Sequence, residues 1–150
     1  MKKIICVLLA LMLVLSGCGA EPVTKDIAAI KDTILSQLEI ADAIDLPKER
    51  LLDLYGIDAA GVKDSACFIT MGGAFPDEII MVETVDAAAA KAVAEKLEVR
   101  LADAKNQAEN YDAESYALLE KCKVTTTGLY VTLFISAKNE AMQSIFDNAK

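Results

Sequence analysis

Ser65-Ala66-Cys67-Phe68-Ile69-Thr70-Met71-Gly72-Gly73-Ala74-Phe75-Pro76-Asp77-Glu78-Ile79-Ile80-Met81-Val82-Glu83-Thr84 is the stretch that decides the fold. Ser65 to Met71 is short, apolar and partly β-branched or aromatic, and Ile79 to Thr84 has the same character. Gly72 to Pro76 between them is turn chemistry, glycine for conformational freedom and proline for a fixed φ. Together they predict a β-hairpin with a loop of about five or six residues. A second hairpin is predicted downstream, where Lys123–Thr127 and Leu129–Ser136 flank Gly128. In its second strand Leu129, Val131, Leu133 and Ile135 alternate with Tyr130, Thr132 and Phe134, the period of two that a strand presents.

Helical periodicity fills the rest. Ile27, Ile30, Ile34 and Leu38 recur at steps of three and four, one stripe of a helix from about Thr24 to Ile40. Pro47 suits the first turn of a short helix through Leu51, Leu52 and Leu54, which Gly56 stops and Ile57 seals. Asp86 can cap an Ala-rich helix from Ala87 to about Ala108, with Val93, Leu97 and Leu101 as its heavy stripe. Asp112 can cap another short helix carrying Tyr116 and Leu119. Asn139 to Ala149 places Met142, Ile145 and Phe146 at helical spacing. The order ααββααββα predicts an α+β fold: a four-stranded antiparallel sheet built from two hairpins, with the helices mainly on one face.

Composition excludes several classes. The 150 residues are 54% hydrophobic with mean hydropathy +0.34, which rules out a mostly disordered chain. With no His, neither His-based catalysis nor a His-ligated metal is available. A formal charge of -8 and a pI near 4.5 disfavour electrostatic nucleic-acid binding.

The N-terminus reads as an address. Lys2 and Lys3 precede the apolar run Ile4–Leu15, which is too short to span about 30 Å of hydrocarbon comfortably as a helix. The run ends in Leu15-Ser16-Gly17-Cys18, which resembles a bacterial lipobox. That resemblance implies a diacylglyceryl group on the Cys18 thiol, cleavage between Gly17 and Cys18, and a membrane partner reached through that lipid. Residues 1–17 are then a signal peptide, 18–23 the lipidated cysteine and a short tether, and 24–150 a single domain. Removing Lys2 and Lys3 leaves 13 basic and 23 acidic residues, a mature charge of −10. A domain so charged is expected to stand off an anionic bilayer at the extracytoplasmic face of the cell membrane.

Each chemistry-bearing residue also has a structural role open to it. Cys67 and Cys122 remain in the mature domain, either as a disulfide, which an oxidising compartment permits, or as two buried thiols. Without a C-x-x-C there is no redox motif. The acids Asp42, Asp45, Asp53, Asp58, Asp64, Asp77, Glu78 and Glu83 fall in or near loops and strand ends, but no D-x-D-x-D-G calcium loop is present, so no metal site and no cofactor is predicted. Gly72, Gly73, Asp77 and Glu78 form the most site-like cluster, a candidate ligand loop that is otherwise a plain hairpin turn. Tyr55, Tyr116, Tyr130 and Phe134 are a recognition surface if uncovered and core if packed. Ser136 and Lys138 are close in sequence but carry no supporting catalytic motif.

The order of these pieces resembles an uncharacterised family of Gram-positive bacterial lipoproteins, domain of unknown function 4358. The resemblance rests on the lipobox at Cys18, on Leu54-Tyr55-Gly56-Ile57-Asp58, on Asp77-Glu78-Ile79 and on Gly128-Leu129-Tyr130-Val131. It covers nearly all of the mature chain, implies an extracytoplasmic single domain, and supplies no catalytic or ligand residue. The leading expectation is a non-enzymatic lipoprotein that binds an envelope protein or assists envelope assembly, with no nucleic-acid partner. The alternative is a small-ligand or metal-binding lipoprotein using the Gly72–Glu78 loop, and a third reading is a hydrolase working through carboxylates alone.

Overall fold

Asp26 opens the first helix by accepting a hydrogen bond from the Ala29 amide at 3.0 Å, and α1 then runs Ile27–Gln37. The computed structural model describes residues 24–72, 76–110 and 112–149; Gly17, Cys18 and Gly73 lie outside them. After α1 come β1 (Ile44–Leu46), a 3-10 turn at Lys48–Arg50 and α2 (Leu51–Tyr55). Gly56 ends α2 at φ +67°, with its own amide bonded to Leu52 and the Ile57 amide reaching back to Leu51, the paired closure that a left-handed glycine permits. A second 3-10 turn at Ala59–Gly61 leads to β2 (Val62–Ser65), β3 (Cys67–Ile69) and β4 (Glu78–Thr84). Asp86 caps α3 (Ala87–Glu109) and Asp112 caps α4 (Ala113–Leu119), as expected from their positions ahead of the apolar stripes. β5 (Val124–Thr127), β6 (Tyr130–Ile135) and α5 (Asn139–Asn148) complete the chain.

The fold is α+β with a six-stranded antiparallel sheet, order β1-β3-β4-β6-β5, in which β2 also pairs with β4. Both expected hairpins are present. Phe68 faces Ile79 across the first, and Thr127 faces Tyr130 across the second, where Gly128 supplies the positive φ of a two-residue turn. Two strands exceed the expected four. β2 and β3 lie end to end along one edge of β4, joined by the Ala66 amide, which bonds to the Met81 carbonyl at 2.9 Å. β1 adds to the far side of β3, pairing Asp45 with Phe68. Its three residues are too short to show a period, so only the register with β3 defines it. The helix order changes accordingly, because β1 separates α1 from α2.

The helices cover both faces of the sheet, not mainly one. On one side Ile80, Val82, Val131, Leu133 and Ile135 pack against α2, α3 and α4 through Tyr55, Val93, Leu97, Leu101 and Leu119. On the other, Ile79, Met81, Tyr130 and Phe134 pack against α1 and α5 through Ile27, Ile30, Ile34, Met142 and Phe146. Alternation along β4 and β6 thus divides residues between two cores instead of between core and water. Tyr130 and Phe134 belong to the second core and form no exposed platform.

Lys25 ties this second layer to the chain's entry point. Its backbone amide donates to the Tyr130 hydroxyl at 2.9 Å, and that hydroxyl donates back to the Lys25 carbonyl. Its ammonium donates to the carbonyls of Phe146 at 2.8 Å and Ala149 at 2.7 Å, among the last carbonyls of α5, and lies over the Phe146 ring. A cation at a helix C-terminus meets both the unpaired carbonyls and the negative end of the dipole.

Candidate functional site

Of the expected ligand loop, Gly72, Asp77 and Glu78 are among the described residues, and these three do not converge. Gly72 is exposed, with nothing within 4 Å of an added Cβ. Asp77 and Glu78 are consecutive at the start of β4, so their side chains leave on opposite faces of the sheet. Glu78 turns toward α3, where it accepts from Arg100 Nε at 3.0 Å and pairs through its other oxygen with Arg100 Nη2. The Tyr55 hydroxyl donates to the same carboxylate at 3.3 Å. Burial and the adjacent Glu78 charge push the Tyr55 phenol well above its ordinary value, and the hydrogen bond to Glu78 raises Arg100. These three side chains bind α2 and α3 to the first residue of β4, so Glu78 serves the fold.

Asp77 faces the end of β6. Burial raises its carboxyl pKa, opposed by a hydrogen bond from Ser136 and the charge of Lys138. Its backbone closes the hairpin, with Asp77 N to Thr70 Oγ1 at 3.1 Å and Thr70 N to Asp77 O at 3.0 Å. Ser136 and Lys138 do not form a nucleophile and base. The Lys138 ammonium reaches away to the Leu38 carbonyl, and Ser136 Oγ accepts from the Lys138 backbone amide at 3.1 Å.

Several of the other acids also hold the fold. Asp45 pairs with Lys31 and Glu83 with Lys63, Asp58 caps the turn after α2, and Asp64 accepts from the Ser65 amide. Among the described residues no three His, Cys, Asp or Glu side chains are grouped to hold a metal ion.

Cys67 and Cys122 lie in the same core as free thiols. Cys67 Sγ donates to the Met81 carbonyl and Cys122 Sγ to the Leu118 carbonyl. The strand order sets the two thiols apart. Cys67 is on β3 and Cys122 precedes β5, with β4 and β6 between them. Three strand spacings come to on the order of 14 Å, about twice the Cα separation that a disulfide bridges.

A further concavity lies away from these residues, beside two lysines that the motifs above do not include. A cleft of about 460 Å³ lies between α5 and the segment that leads into β5, lined by Lys121, Lys123, Phe134, Asn139, Gln143 and Asp147, together with Glu140 and Ser144. α5 packs over β6 here and forms the opposite wall. Thr132 Oγ1 donates to Gln143 Oε1, and Gln143 Nε2 donates to Asp147, which fixes the α5 wall. The available signal was the pair Lys121 and Lys123 in a strongly acidic chain.

Among the described residues no helix is long and apolar enough to cross a membrane. No curated protein and no solved structure matches the chain. Residues 36–136, more than half of the chain, match the family model described as domain of unknown function (DUF4358), and the chain belongs to that family.

Proposed function

We propose that this protein is a membrane-anchored extracytoplasmic lipoprotein whose domain binds another envelope protein, as a non-enzymatic accessory. The observation that carries the anchored reading is the order of signals ending at Cys18, a basic start, an apolar run of signal-peptide length and a lipobox-like close. Lys25 supports it mechanically. Only six residues separate it from Cys18, so its Cα stands within about 25 Å of the lipidated cysteine even on a fully extended tether. Because Lys25 is fastened to Tyr130 and the end of α5, pull on the tether is passed to the core and not to a frayed strand. The pole with the Gly128–Leu129 turn and the end of α5 then faces the bilayer. The Thr70 and Asp77 end of the sheet faces away, toward envelope partners.

The protein-binding reading is supported by how the acids are used. Glu78, Asp58, Asp86 and Asp112 are taken up by an ion pair or by helix and turn caps. The test is Cys18→Ser in the producing cell. The native chain is expected in the membrane fraction with a diacylglyceryl mass on its N-terminal peptide, and Cys18→Ser is expected to lose both. A native N-terminal peptide without lipid mass sinks the proposal.

A further inference from the structure

β5 is an edge strand, paired with β6 on one side and with no strand on the other among the described residues. The two-residue turn sets the alternation of its hydrogen bonds. Thr127 and Thr125 exchange bonds with Tyr130 and Thr132, so Val124 and Thr126 aim their N–H and C=O groups outward. Lys123, just ahead of β5, lines the 460 Å³ cleft with Phe134 from β6, and alternation puts the Thr125 side chain on the same face of the sheet as Lys123. Lys121 and Lys123 are exposed and have no carboxylate within 4.0 Å among the described residues. These two cations stand beside a row of open backbone groups, on a mature chain of net charge −10. The acids lining the cleft, Glu140 and Asp147, belong to the α5 wall.

We infer that β5 takes an extended acidic segment of a partner protein as an added strand, which rests on the protein-binding reading above. The main chain of the segment bonds to Val124 and Thr126. Alternate side chains drop into the cleft, where Lys121 and Lys123 favour a carboxylate near the start of β5, and Asp147 disfavours one at the α5 C-terminal end. Strand addition draws affinity from the backbone and selectivity from such flanking pockets. The charge pattern selects this occupant over a second copy of a strongly acidic chain.

The test uses the full lipidated chain in neutral detergent and a blocked seven-residue peptide alternating threonine and glutamate, with a threonine–lysine peptide as the control. Amide exchange is followed at Val124 and Thr126. At about 1 mM the glutamate peptide is expected to slow exchange at both amides by about tenfold and the lysine peptide to leave them unchanged. Lys121→Glu with Lys123→Glu is expected to reverse that preference, and Thr126→Pro to abolish protection by either peptide. A folded circular-dichroism spectrum of each variant separates lost binding from lost structure. Equal protection by both peptides, or none by either, overturns the inference. So does protection that needs no peptide and tracks a doubled mass, which makes a second copy the occupant. An envelope partner crosslinked in cells to another surface, with β5 unprotected, overturns the β5 site while the protein-binding reading stands.

Discussion

The Lys25 ammonium lies 2.8 Å from the carbonyl oxygen of Phe146, 121 residues later in the chain. One buried cation thereby closes the C-terminal end of α5 with the first residues of the described fold.

Lys25→Met is expected to lower unfolding free energy by about 2–3 kcal/mol, since charge-assisted bonds and a helix-end charge are lost together. Urea denaturation gives the size, and amide exchange gives the place. Faster exchange concentrated in residues 142–148 is the expected pattern, and a uniform change across the sheet would show that Lys25 does not act through α5.

Arg100→Met is expected to cost about 2 kcal/mol. That is below the loss typical of a fully buried pair, because the Arg100 side chain is 28% exposed while Glu78 is 10% exposed. Arg100→Met combined with Glu78→Met should cost less than the two single changes summed, because neither charge is then left alone. Additive losses in that double-mutant cycle would contradict a direct Glu78–Arg100 coupling.

Stability is expected to fall as pH rises above about 8.5. Burial pushes the Cys67 thiol up to about 12 and raises Cys122 and Tyr55 as well. The native state keeps these protons while the unfolded chain releases them, so their contribution is complete below the unfolded thiol pKa and is lost toward the raised folded one. Urea midpoints between pH 7 and 10.5 should decline, with a shallower slope in Cys67→Ala. In the native protein neither thiol should label at pH 7.5, and both should label in urea without prior reduction. A requirement for a reductant would demonstrate a bridge.

Gly56→Ala and Gly128→Ala are each expected to cost roughly 1 kcal/mol, because both sit at positive φ, +67° and +61°. Gly72→Ala is expected to change stability little, since an added Cβ meets nothing within 4 Å. Thermal melts of the three variants check the contrast, and a large loss at Gly72 would mean that its loop is more constrained than its surroundings indicate.

Local chemistry was readable directly from the chain. Asp86 and Asp112 precede apolar stripes as caps, Gly56 followed by Ile57 ends a helix, and Gly128 sits where a two-residue turn needs it. Each signal lies within a few residues of its effect, so the sequence alone was enough for the two hairpins, the helix positions and the α+β class. Tertiary contacts decided what adjacent residues cannot specify. β1 is only three residues and exists through its register with β3. The runs in β4 and β6 are apolar or weakly polar almost throughout, which hides whether one face or both are covered, and the packing of α1 and α5 settles that both are. Glu78 looked like part of an open loop because Arg100 and Tyr55, its partners, stand 22 and 23 positions away on other elements. The separation of Cys67 from Cys122 and the cleft beside β5 likewise follow from strand order, which no local pattern encodes because it is set by long-range pairing.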